Sequence, residues 1–184
     1  MTSESSERRV ILTILLVSTL LTMLGVAGLI MGVSDLSLAP IPENTRDYFE
    51  EETELTDIQV EMFEVLASNP YRRPMAAANV VVSALVLIGS FMLSWRRRLA
   101  QWWIRQAVTA KVLWIVAHTA SLGHHVQRSL TTSTLEEAGT TATAIVGMLV
   151  LFGMISVGLH VAAAYRATRP DIGQFIETSA KRRA

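Results

Sequence analysis

Two residues in this chain combine an ionisable side chain with surroundings where water is scarce, Lys111 and His160. Each lies in or beside a long stretch that otherwise carries no charge. Ionisable groups there are costly enough to count as functional candidates by default. At 1.5 Å per helical residue, Lys111 sits about 9 Å beyond Arg105 on one helix and His160 about 7.5 Å in from Tyr165 on another. At similar depth, an ammonium and an imidazole can hold an anion or relay a proton. The competing reading is a lysine that snorkels to the interface and a histidine bonded to a serine or a backbone carbonyl. Asn79 and Ser83, followed at helical spacing by Ser90 and Ser94, form a polar stripe on a further apolar stretch. Polar groups in lipid are best met by another helix, so the stripe is expected to face inward. Lys111, His160, Asn79 and Ser83 are thus the candidate intramembrane polar site.

Other chemistry is less well supported. His118 and His125 are seven apart and can share a helix face, with His124 beside them. A haem or metal in a bundle needs further ligands from facing helices, and His160 falls toward the opposite side. No metal ligand set and no cofactor are therefore expected. The run Glu50-Glu51-Glu52 with Glu54 lacks the alternating spacing of a calcium loop and reads as a solvated acidic segment. The chain has no Cys, which removes thiol nucleophiles and disulfides. It carries no glycine-rich nucleotide loop, zinc-protease helix, nucleophile elbow or nucleic-acid module. An enzyme is the least favoured class, no catalytic residue is assigned, and no nucleic-acid partner is expected.

The elements that position these residues are apolar runs. Of the 184 residues 51% are hydrophobic, and they gather in long blocks. Val10–Val33 gives 24 uncharged residues, about 36 Å of helix against a hydrocarbon core of about 30 Å. It reads as a first span rather than a signal peptide, whose apolar core is shorter. Residues 74–95 supply a second span opened by Pro74, and residues 139–165 a fourth. The third, over 105–125, is irregular. Its uncharged run from Val112 to Val126 is only 15 residues, so the helix is expected from about Arg98 with its first turns in the interface. Between the first and second spans lies an acidic segment, 34–73. It is predicted to hold an amphipathic helix near 57–68, with Thr56 and Gln59 as a capping box, Leu55 and Val60 as a staple, and Ile58, Met62, Val65 and Leu66 on one face. Residues 126–138 read as a short polar connection, and 166–184 as a basic tail with Pro170 as a break before a short helix around 173–181.

The stretch from Trp95 to Lys111 orients the whole. It carries five of the sixteen Lys and Arg and three of the four Trp. Trp95, Arg96, Arg97, Arg98, Trp102, Trp103 and Arg105 are the expected membrane-interface anchors. With residues 1–9, 96–104 and 166–184 inside and Arg105 counted with them, the inner segments hold 11 basic residues and the outer ones 4. The positive-inside rule then places both termini in the cytoplasm and the acidic loop outside. A bacterial inner membrane is the default location.

Small residues mark close helix contact: Gly25, Gly28 and Gly32 on the first span, Gly147 and Gly158 on the fourth. The expected fold class is all-α, an up-and-down bundle of four transmembrane helices with an extracytoplasmic amphipathic helix between the first two. The expected function is a non-catalytic accessory or interaction subunit of a membrane complex. Its partners would be membrane lipids and other membrane subunits or further copies of itself. The competing expectation is a small transporter or channel component using the polar face and the Lys111/His160 pair.

Overall fold

The computed structural model describes residues 2–37, 57–132 and 138–181, and among these the chain is helical with no strand. Six helices follow in order: α1 (Thr2–Ser37), α2 (Asp57–Ala67), α3 (Arg72–Ser94), α4 (Ala100–Thr131), α5 (Ala138–Ala167) and α6 (Pro170–Lys181). Three of them, α1 from Glu7, α3 and α5, are long and apolar enough to cross a membrane, as a multi-pass membrane protein requires. The capping residues Leu55 and Thr56 and the acidic run Glu50–Glu54 lie outside the described residues, as do Arg182 and Arg183.

The four long helices α1, α3, α4 and α5 pack side by side in chain order, each running opposite to the one before. Gly25, Gly28 and Gly32 of α1 meet Leu87, Ser83 and Val80 of α3, so one number falls as the other rises. Gly89 of α3 faces Ile104 of α4, and Lys111 further along α4 faces Asn79 and Ser83 nearer the start of α3. Gly123 of α4 faces Val146 of α5, while Gly153 faces Thr119. Contacts between α1 and α5 close the ring. One buried cluster, from Ile14, Val17 and Leu21 through Val86, Leu93, Ile104 and Val108 to Ala163, lies at its centre.

Several helix ends differ from the sequence expectation, each for a local reason. Residues 126–132 were expected in a polar connection, but α4 continues through Thr131 because Val126 and Leu130 are 1% exposed against Val65, Ala138 and Ala142. Burial of two large side chains outweighs the weak helix propensity of the Ser and Thr around them. Pro170 does not break the chain before a later helix; it is the first residue of α6, where its missing N–H has no partner to lose. Gly173 N–H closes the first turn onto Arg169 O at 3.2 Å. Ile172 and Ile176 on one face of α6 are buried in the central cluster. At the opposite end of the ring α2 rests on α4, with Val65 buried and its carbonyl 2.9 Å from His125 Nε2. Asn69 Oδ1 accepts the Tyr71 N–H at 3.0 Å, turning the chain from α2 into α3.

Candidate functional site

Lys111 is 4% exposed, and its side chain does not reach out of the helix layer. Nζ donates to Asn79 Oδ1 at 2.5 Å and to Ser83 Oγ at 2.9 Å, and stands 4.5 Å from the centre of the Trp114 ring, one turn further along α4. An ammonium has three N–H donors, and two oxygens with one indole face occupy all three directions. Ser83 Oγ donates in turn to Asn79 Oδ1 at 3.2 Å. The snorkelling expected of Lys111 is therefore replaced by a seat on the polar stripe of α3. A group with its full set of hydrogen bonds one helix away has no reason to stretch for the interface.

Two tryptophans extend this contact along the α3–α4 seam. Trp114 Nε1 donates to Met75 O at 2.9 Å, and Trp103 Nε1 to Leu85 O at 3.0 Å. With Lys111 between them, three cross-helix bonding points span about 16 Å of α4 at 1.5 Å per residue. Trp103, one of the expected headgroup anchors, is half-buried and donates its N–H to α3. Trp95, Trp102, Arg97, Arg98 and Arg105 are exposed, and Arg96 is half-buried. Ring stacking continues from Trp114 to His118, whose centroids are 4.8 Å apart at 10°.

The α1–α3 seam is built from the remaining small and polar residues. Ser90 Oγ donates to Ser18 O at 2.7 Å and lies 2.7 Å from Thr22 Oγ1. Gly25, Gly28 and Gly32 leave no room for a Cβ, which at these positions would stand 2.7 Å from Leu87 Cγ, 2.9 Å from Lys111 Nζ and 2.8 Å from Val80 Cγ2 respectively. The first-span glycines thus pack within this chain. Gly147 and Gly158 differ, since a Cβ on either would meet nothing within 4 Å.

His160 is 2% exposed and lies close to the level of Lys111, because in the antiparallel register that sets Gly153 against Thr119 it stands seven residues beyond the one and Lys111 eight residues before the other. No hydrogen bond joins Lys111 to His160. Nδ1 lies 2.7 Å from Ser156 O, which can only accept, so Nδ1 holds the proton. Nε2 is then left as a buried acceptor with no partner. His125 is tied to Val65 O, His118 to the Trp114 stack, and His124 is exposed, so the four histidines do not converge.

A groove of about 780 Å³ lies along the outer side of the α4–α5 pair. Its apolar walls include Ile115, Val116, Val150 and Met154, its floor is lined by Gly123, Gly153 and Gly158, and Gln127 lies at one end. Helix α5 is the least covered: 6% of its most apolar window is buried, against 39% for α3. The sequence signal for this surface was the run of small residues in α5; the signal for the lysine seat was the spacing of Asn79 and Ser83. No protein-family model, curated protein or solved structure matches the chain.

Proposed function

We propose that this chain is a non-catalytic integral membrane protein that serves as an accessory or interaction subunit of a membrane complex, with the α4–α5 groove as its docking surface. The observation that carries the reading is the contrast between the seams. Polar groups of α1, α3 and α4 are spent on one another, whereas on the groove side of α5 Gly158 is open and Val150, Met154 and Val161 are exposed. Small residues beside exposed apolar ones let a further transmembrane helix approach closely. On this reading α4 is a fourth span, its cation borne by Asn79, Ser83 and Trp114, and α2 caps the outer end. Both termini then face the cytoplasm of a cell membrane, bacterial by default. Tagging the C-terminus, extracting in mild detergent and measuring the mass of the particle tests this: a stoichiometric larger complex supports it, and a bare monomer retained from membranes at native abundance overturns it.

A transporter or channel component is the second reading, and one observation favours it, the unpartnered Nε2 of His160 at the level of Lys111. Against it, Val86, at 2% exposure, lies between Ser83 and Ser90 along α3 and separates Ser90 from the lysine seat. Cysteines placed at Asn79, Ser83 and Ser90 decide between the two: ready labelling by a water-soluble thiol reagent favours transport, and resistance favours the packed seam.

A further inference from the structure

The turn that joins α3 to α4 is unusual in its residues. Helix α3 closes with Arg96 N–H on Leu93 O at 3.0 Å and Arg97 N–H on Met92 O at 2.9 Å, the paired bonds of a Schellman end. The residue in the left-handed position is Arg96, with φ of 53°, where glycine is the usual choice because it has no Cβ to crowd the backbone. The Arg96 guanidinium carbon lies 4.9 Å from the centre of the Phe175 ring on α6, and Arg97 and Arg98 are exposed. Among the described residues none of these three arginines has a carboxylate partner.

Beside the turn opens a pocket of about 540 Å³ lined by Ser94, Trp95, Arg96 and Arg97. That is far more than one ion needs, at roughly 30 Å³ per water. Trp95 is 63% exposed and stacks on Phe91 with centroids 6.1 Å apart, an amphipathic pair suited to the boundary between acyl chains and head groups. Helix α4 begins at once, and Leu99 at its N-cap supplies no side-chain bond to the first N–H groups.

We propose that this turn binds the phosphate of an anionic phospholipid head group, held by Arg97 and Arg98 with Trp95 at the acyl boundary. The proposal rests on the reading of α3 and α4 as membrane spans, which places their shared turn at the depth of lipid phosphates. Arginine suits the task because its planar donors pair two at a time with phosphate oxygens.

The test is native mass spectrometry of the purified full chain in detergent with equimolar phosphatidylglycerol and phosphatidylcholine. Retained adducts should be phosphatidylglycerol. Arg97→Gln with Arg98→Gln should cut their apparent affinity about five-fold per arginine, whereas Arg166→Gln with Arg169→Gln, the same change in charge, should leave it within two-fold. Equal loss in both pairs means diffuse attraction and overturns the site, as does equal retention of the two lipids. Displacement by millimolar inorganic phosphate assigns the turn to free phosphate and overturns the lipid. Arg97→Lys with Arg98→Lys, which keeps charge and fold, should recover only part of the binding. A chain that stays monodisperse without detergent fails the membrane reading instead.

Discussion

Gly28 of α1 stands directly against Ser83 of α3, so that a Cβ on Gly28 would overlap the Ser83 hydroxyl and lie 2.9 Å from Lys111 Nζ. One glycine thus makes room for the seat of a cation carried by a helix three elements later in the chain. The α1–α3 and α3–α4 seams are therefore a single packing unit, joined at Ser83.

Gly28→Ala should consequently cost more than an ordinary overpacking, because the new methyl pushes on a hydroxyl that is already accepting from Lys111. The expected loss is about 3 kcal/mol, the upper end of the usual range. Adding Ser83→Ala to it should return only part of the loss, since Ser83 Cβ remains 3.1 Å from the new atom. Reversible unfolding in detergent measures both; a Gly28→Ala chain as stable as the parent would show that α1 does not pack on α3 at this point.

Removing the cation and removing its acceptor should have opposite weight. Asn79→Leu leaves a buried ammonium with one oxygen fewer, and losses of about 3–5 kcal/mol are usual when one partner of a buried charge is taken away. Lys111→Met removes the charge itself and keeps the volume, so its cost should be below about 1.5 kcal/mol. The double variant should be more stable than Asn79→Leu alone. If Lys111→Met is instead the more damaging change, or abolishes a transport activity while stability holds, the lysine has a role beyond packing.

Arg96 allows the backbone and side-chain terms to be separated. Arg96→Gly relieves the left-handed strain but loses the contact with Phe175, terms of about 1 kcal/mol and about 0.5–1 kcal/mol that nearly cancel. Arg96→Val loses the contact and deepens the strain, as a β-branched residue tolerates positive φ poorly. Stability should therefore run Arg96 near Gly, both well above Val. Equal values for Gly and Val would mean that the turn relaxes without a left-handed residue.

How much of this was legible in the sequence depends on the range of the interaction involved. The apolar runs of α1, α3 and α5 and the acidic amphipathic pattern of α2 are properties of local stretches, readable by periodicity alone. The pairing of Lys111 with Asn79 and Ser83 spans about 30 residues and needs the register of α3 against α4, which no local pattern carries. Individual expectations were right about polarity and silent about partner: the stripe on α3 was expected to face another helix, and Lys111 was sought opposite His160. Trp103 shows the same limit, since an indole beside arginines suggests an interface belt and says nothing of the carbonyl, Leu85 O, that its N–H meets at 3.0 Å. The left-handed Arg96 had no sequence signal, because such ends are read from glycine.

The α4–α5 groove separates stability from association. Gly158 has open space around its Cα, and glycine within a helix is about 1 kcal/mol poorer than alanine. Gly158→Ala should thus leave the isolated chain as stable as the parent or slightly more so. Gly158→Leu places a large side chain where a partner helix would lie, without disturbing any contact within the chain. Of the two, only the leucine variant should lose a stoichiometric complex when the tagged protein is extracted and sized, and its thermal unfolding should be unchanged. Loss of both complex and stability would mean that Gly158 packs inside the chain. An intact complex would move the docking surface to another face of the protein, because a partner seated in the groove cannot share its floor with a leucine.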